Sequence, residues 1–258
     1  MSAKVGIICG GIINKDFKQD PVGTLEKIAE LGLEGIEIGR NFEKPDFVID
    51  DDKFRMLVNK LGLEIICVHV LLKDLTDYID DIISFCRIMD IKFVDLVWTP
   101  CDSIKWLYDN APVIDKAGEK LRMNGIQLTY HNHNHEFNNV FEGRKAIDIL
   151  YSLTSKENLM AEVDVAWVTF GKEDPANFIK RYKGRCPLLH FKDLIDPNIR
   201  DSFIEIGSGM VDFKKIAEEA NKNGARWFVI EQDKPHILEG FESVKRSVEY
   251  LKSIGIMR

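Results

Sequence analysis

Four times along this chain an amphipathic helical segment stops at a glycine, and an apolar run begins almost at once. Glu30-Leu31-Gly32-Leu33 leads into Gly35-Ile36-Glu37-Ile38, Lys60-Leu61-Gly62-Leu63 into Ile65-Ile66-Cys67-Val68, Asn124-Gly125 into Ile126 to Tyr130, and Asn223-Gly224-Ala225 into Trp227-Phe228-Val229-Ile230. A glycine so placed takes the left-handed conformation that ends a helix. The helical segments carry apolar residues three and four apart, as in Phe54, Leu57, Val58, Leu61, in Leu75, Ile79, Ile82, Ile83, Cys86, and in Phe213, Ile216, Ala217, Ala220. Each therefore presents one apolar face. The runs after the glycines are continuous rather than half polar, the pattern of parallel strands covered on both sides.

Expected strands are Val5–Cys9, Gly35–Ile38, Ile65–His69, Phe93–Trp98, Gln127–His131, Ala161–Asp164, Leu188–His190 and Trp227–Glu231. Strands alternating with helices in this number predict an α/β fold, a (β/α)8 TIM barrel. A doubly wound open sheet would need a glycine-rich phosphate loop after the first strand, and Gly6 with Gly10-Gly11 does not make one. No Pro/Ser-rich linker interrupts the 258 residues, so one domain spanning 1–258 is expected.

Composition removes several function classes. With 35 basic and 42 acidic residues the formal net charge is -7, which disfavours a protein held to nucleic acid by phosphate contacts. The five cysteines have no C-x-x-C spacing and mostly sit in apolar runs, the usage of reduced core thiols in a cytoplasmic protein. Met1-Ser2-Ala3-Lys4 runs straight into Val5-Gly6-Ile7-Ile8-Cys9, too short for a signal peptide, and no stretch approaches the roughly 18 apolar residues of a membrane span. A homo-oligomer is compatible with the sequence and not specified by it.

In a barrel of this kind function belongs at the C-terminal ends of the strands. The second strand ends near Glu37, the third at His69, the fourth at Trp98, the sixth at Asp164, the seventh at His190 with Lys192-Asp193, and the eighth at Glu231 with Gln232-Asp233. The fifth runs into His131-Asn132-His133-Asn134-His135-Glu136, which holds three of the six histidines. Ionisable groups that finish separate parallel strands converge on one mouth, and without a cation their carboxylates would repel. Glu136, Asp164, His190 and Glu231 form a three-carboxylate, one-imidazole set suited to one divalent metal, Mn²⁺ first, with Mg²⁺, Co²⁺ or Zn²⁺ open. Alternation along an extended strand puts His131, His133 and His135 on one face and Glu136 on the other. A break within Asn132–Asn134 would turn Glu136 inward; without one, His131 is the ligand. Asp164 alone also fits a helix cap.

At these residues the chain resembles the xylose isomerase-like superfamily, in its sugar phosphate isomerase/epimerase branch. The resemblance spans nearly the whole chain. It is carried by Tyr130-His131-Asn132-His133-Asn134-His135-Glu136-Phe137, Asp164-Val165-Ala166-Trp167 with Gly171 and Asp174-Pro175, Gly184-Arg185 with Leu189-His190-Phe191-Lys192-Asp193, Ile206 to Phe213, and Ile230-Glu231-Gln232-Asp233. It implies a mononuclear divalent metal held by a Glu/Asp/His/Glu quartet, here Glu136, Asp164, His190 and Glu231. Many members carry the first Glu within the fifth strand, where this chain has His131, so those two residues compete for one position.

The implied enzyme is an isomerase or epimerase acting on a keto-sugar or sugar phosphate through a metal-stabilised enediolate. Glu136 and Glu231 are the expected proton-transfer groups, with His133 as an alternative base. His69, His131 and Lys192 are expected to bind substrate oxygens, and Trp167 to stack on a sugar ring. Gly207-Ser208-Gly209 resembles a phosphate-cradling turn, but weakly. The alternative within the superfamily is a lyase, a keto-inositol dehydratase or a 3-keto-glycoside lyase, which uses the same metal and expels a β-substituent. An abasic-site endonuclease fits less well, since it needs a three-metal cluster and a basic face. The implied partner is a small carbohydrate, with neither nucleic acid nor membrane.

Overall fold

The computed structural model describes residues 2–44, 50–234 and 238–257. Eight strands, β1 (Lys4–Ile8), β2 (Gly35–Gly39), β3 (Glu64–Val70), β4 (Phe93–Leu96), β5 (Gln127–His131), β6 (Leu159–Asp164), β7 (Leu188–Phe191) and β8 (Trp227–Ile230), close into a barrel. Neighbours follow chain order and every pair is parallel, with β8 returning to β1.

The glycine stops act as their positions require. Gly32, Gly62, Gly125 and Gly224 have φ of +83, +71, +76 and +88°, where a side chain would be strained. They follow the helices Pro21–Glu30, Asp51–Lys60, Ile104–Met123 and Phe213–Lys222. The helical pattern through Leu75 and Cys86 resolves into Leu72–Asp77 and Ile79–Met89, and the second ends on a left-handed Asp90 instead of a glycine. Helix starts are closed by Asp20, Asp50, Ser103, Asp174 and Asp212, whose side chains accept the third backbone N–H. Two hairpins absent from the expected elements, Val140–Phe141 with Arg144–Lys145 and Asp193–Leu194 with Phe203–Ile204, lie in the loops after β5 and β7.

Alternation along the strands sorts the side chains into two regions. Val94, Leu96, Leu128, Tyr130, Leu189 and Phe228 join the large core between sheet and helices. Inside the barrel, Ile66, Cys67, Phe93, Leu188, Trp227 and Val229 form a separate apolar plug. Fully burying an aliphatic or aromatic side chain of this size is worth about 1.5–3 kcal/mol. Above the plug the inward residues become polar: Glu37, Asp95, Thr129, His131, Glu162, Asp164 and His190 are all buried. Along the barrel axis, buried charge therefore collects at the C-terminal end of the strands. Among the described residues no helix is long and apolar enough to cross a membrane.

Candidate metal centre

The chain leaves strand geometry at Asn132 for an identifiable reason. The Asn132 amide donates to the Asp164 carbonyl at 3.3 Å, and the Asp164 N–H donates back to Asn132 Oδ1 at 3.2 Å. This reciprocal pair ties the ends of β5 and β6 together with His131 facing inward. The one-turn helix His135–Asn138 follows, so the break expected within Asn132–Asn134 is present. It does not deliver Glu136 to the axis. Tyr130 Oη donates to Glu136 Oε1 at 2.6 Å and the His133 N–H donates to Oε2 at 2.9 Å, which turns the carboxylate back toward its own strand. Burial raises its pKa above the usual carboxylate range.

His131, rather than Glu136, lies with the other three expected donors. Among the described residues, His131, Asp164, His190 and Glu231 each offer one donor atom, all within 4.8 Å of one another. His190 Nδ1 lies 2.9 Å from Glu231 Oε2 and His131 Nε2 lies 3.7 Å from Asp164 Oδ2. Asp164 does both things its sequence position allowed. Oδ1 accepts the Trp167 N–H at 2.9 Å and caps the helix Val165–Phe170, while Oδ2 is buried without a hydrogen-bond partner.

Lys192, 1 % exposed along its side chain, sets the charge balance, with Nζ 2.7 Å from Asp233, 3.2 Å from Glu231 and 3.4 Å from Asp164. Burial opposes its charge, but these carboxylates hold it well above the ordinary lysine range. Glu231 is only 11 % exposed along its side chain, yet Lys192 and His190 keep it well below the carboxylate range. Burial pushes Asp164 up to about 7 even against Lys192, and pushes His131 down to about 3. Two imidazoles and two carboxylates, one of whose buried oxygens has no hydrogen bond from the described residues, suit a divalent cation.

Beneath this set lies a second ring of carboxylates. Glu37 Oε2 is 2.7 Å from His190 Nε2 and 3.0 Å from His69 Nε2. Glu162 Oε2 is 3.3 Å from His131 Nδ1, and Thr129 Oγ1 donates to Asp95 at 2.7 Å. Burial alone would raise Glu37, but His190 and His69 override it and hold the carboxyl far below its usual range. Burial and neighbouring Glu162 instead drive Asp95 well up, toward its protonated form. Glu37 is the strand end already visible in the sequence, whereas Asp95 and Glu162 are not among the residues the sequence marks. Their signal is a carboxylate inside an apolar run, and on β6 Glu162 shares the inward parity of Asp164.

Other expected residues fall as follows. His69 Nε2 turns to Glu37 in this lower ring. His133 stands beside the cluster, its ring centroid 5.0 Å from that of His131 and 5.5 Å from that of Trp167, with Nδ1 buried and unpartnered. Trp167 is enclosed by Lys192, 5.2 Å above its ring, and by Phe203 and Phe170. Trp167 is 6 % exposed, and its buried Nε1–H has no hydrogen-bond partner among the described residues. A cleft of about 540 Å³, lined by Gly11, Lys15, Asp233 and Glu239, opens beside the Lys192 partner Asp233.

The Gly207-Ser208-Gly209 turn already holds an anion, the chain's own Asp193. That carboxylate accepts from the N–H groups of Leu194, Gly207, Gly209 and Val211 at 2.8–3.1 Å. Asp193→Ala strands several of these amides and is expected to cost roughly 3 kcal/mol, since each buried unsatisfied group costs about 1–3. Thermal unfolding checks this; an unchanged midpoint would free the amides for an external phosphate.

Comparison with known proteins places this geometry in context. The inosose dehydratase of Lacticaseibacillus casei is 26% identical over 155 residues, covering 54% of this chain and 51% of that protein, so the chain spans about half the length of that curated relative. The inosose dehydratase of Mesomycoplasma hyopneumoniae strain J is 22% identical over 270 residues, covering 90% of this chain and 87% of the relative. A crystal structure of a sugar phosphate isomerase/epimerase from Parabacteroides distasonis superposes with a TM-score of 0.87 at 22% identity, covering 100% of this chain and 96% of that one, which speaks for the fold. Residues 25–254 match the family model described as a xylose isomerase-like TIM barrel, and with the closed parallel barrel and its buried His/Glu/Asp clusters the chain belongs to that family.

Proposed function

We propose that the chain is a divalent-metal-dependent isomerase or epimerase acting on a keto-sugar or sugar phosphate, with His131, Asp164, His190 and Glu231 holding the metal. The observation that carries this reading is the convergence of those four donors around the buried Asp164 Oδ2, which no hydrogen bond from the described residues holds and which faces the Lys192 ammonium at 3.4 Å and His131 at 3.7 Å. Three carboxylates and one imidazole would have favoured hard cations; two imidazoles keep Mn²⁺ first, move Co²⁺ and Zn²⁺ closer to it and leave Mg²⁺ behind. A bound cation would supply Lewis-acid polarisation of a ketone and its neighbouring hydroxyl, which acidifies the hydrogen between them.

The chain's own residues then have separable tasks. His133, pushed down to about 4 by burial with Lys192 adding to it, is neutral at pH 7 and able to take a proton. Glu231 stays charged and is the second candidate for returning it. Lys192 and the Trp167 Nε1–H are donors for substrate oxygens. Glu136 supports the reaction by holding the His133 backbone rather than by touching substrate. Five free, buried thiols suit a reducing cytoplasm.

The likeness to inosose dehydratases over 90% of the chain favours a second reading, in which the same proton abstraction expels a β-hydroxyl as water. Both readings share the first step. On a ketose substrate the metal-loaded protein is expected to wash deuterium from solvent into the α-position, followed by mass spectrometry. A product 18 mass units lighter, about the mass of water, identifies the dehydratase; no exchange on any ketose or keto-inositol tested removes both readings.

A further inference from the structure

We infer that Glu37 and Glu162 are positioning residues that fix which ring nitrogen each metal-facing histidine presents: Nδ1 of His190 and Nε2 of His131. The inference rests on the metal centre proposed above. His190 spans the two rings of the site, with Nδ1 2.9 Å from Glu231 Oε2 and Nε2 2.7 Å from Glu37 Oε2. His131 is turned the other way, with Nδ1 3.3 Å from Glu162 Oε2 and Nε2 3.7 Å from Asp164 Oδ2. A neutral imidazole has one N–H and one lone pair, and only the lone pair ligates a metal. A carboxylate outside the donor set accepts the N–H, so it decides which nitrogen is left to coordinate.

Glu37 and Glu162 meet the conditions for that task. Each is fully buried and on a different strand from the ring it holds, so ring rotation would break an interior contact. Glu162 sits two residues before Asp164 on β6, one inward step deeper in the barrel, and pairs in register with His131. His69 joins the two carboxylates, with Nε2 3.0 Å from Glu37 and 3.8 Å from Glu162, and supplies a compensating donor in an interior that would otherwise oppose two adjacent anions.

Histidine-¹⁵N NMR of the unmodified chain loaded with diamagnetic Zn²⁺ is the primary test. Protonated Nε2 on His190 and protonated Nδ1 on His131 are expected; the opposite tautomer at either ring overturns the inference and leaves the metal centre standing. Glu37→Gln and Glu162→Gln keep an acceptor oxygen but lose the charge, and each is expected to weaken Mn²⁺ about 10–100-fold in chelator competition. Unchanged affinity in both overturns the inference. So do two bound equivalents in the unmodified chain, because the lower carboxylates would then be ligands themselves. No metal bound to the unmodified chain overturns this inference and the proposed centre together.

Discussion

Glu231→Gln and Asp164→Asn are each expected to leave the purified chain without its divalent metal and to lower turnover by about 10³-fold or more. Lewis-acid stabilisation is worth several kcal/mol, and each 1.36 kcal/mol is a factor of ten. Both substitutions keep the size of the side chain and remove its charge. Glu231→Gln takes away the carboxylate 2.9 Å from His190 Nδ1 and leaves Lys192 with Asp164 and Asp233. Asp164→Asn keeps the helix cap through its amide oxygen but puts an amide nitrogen where the second carboxylate oxygen faces Lys192. Elemental analysis reads the metal, and circular dichroism checks that the barrel remains. Glu136→Gln is the informative contrast, because its carboxylate is spent on Tyr130 and the His133 N–H; that variant is expected to retain the metal. Undiminished metal in both Glu231→Gln and Asp164→Asn would remove the four-donor centre, and metal loss in Glu136→Gln alone would restore the arrangement implied by the sequence resemblance.

The contrast between Glu136 and His131 marks where a linear pattern stops being informative. The barrel was legible because its determinants are local: a glycine that must turn left-handed, a helical stripe, an apolar run. The residues that close the strands were legible for the same reason, and Asp164, His190 and Glu231 do come together. Which residue of the His131 to Glu136 run joins them depends on Asn132 binding the backbone of Asp164 across two strands, a tertiary contact with no periodicity. Two of the lower carboxylates were hidden differently. Glu37 was legible as the ionisable end of the second strand, whereas Asp95 and Glu162 sit in largely apolar runs, where only the inward parity shared by Glu162 and Asp164, or by Thr129 and His131, separates site from core. The hairpins after β5 and β7 have strands of two residues, too short for any period to register.

His133→Asn is expected to slow solvent exchange of the substrate α-hydrogen by about 10²–10⁴-fold, the usual worth of a positioned general base, while metal content stays at the unmodified level. The histidine partners lead to this residue. His190 and His69 are engaged by Glu37, His131 by Glu162, and His135 donates to the Thr99 carbonyl at 2.7 Å. His133 Nδ1, by contrast, is buried beside the donor cluster with no hydrogen-bond partner among the described residues, and Glu136 holds its backbone in place. Asn preserves polarity and much of the volume but cannot take a proton at pH 7. The stereochemistry of the residual exchange carries further information. An epimerase needs a proton-transfer group on each face of the enediolate, so His133→Asn should abolish wash-in from one epimer and spare the other, where Glu231 would serve. An isomerase that uses one base should lose exchange from every substrate. Wash-in at the unmodified rate from both epimers would strip His133 of the role and leave Glu231 to move the proton alone.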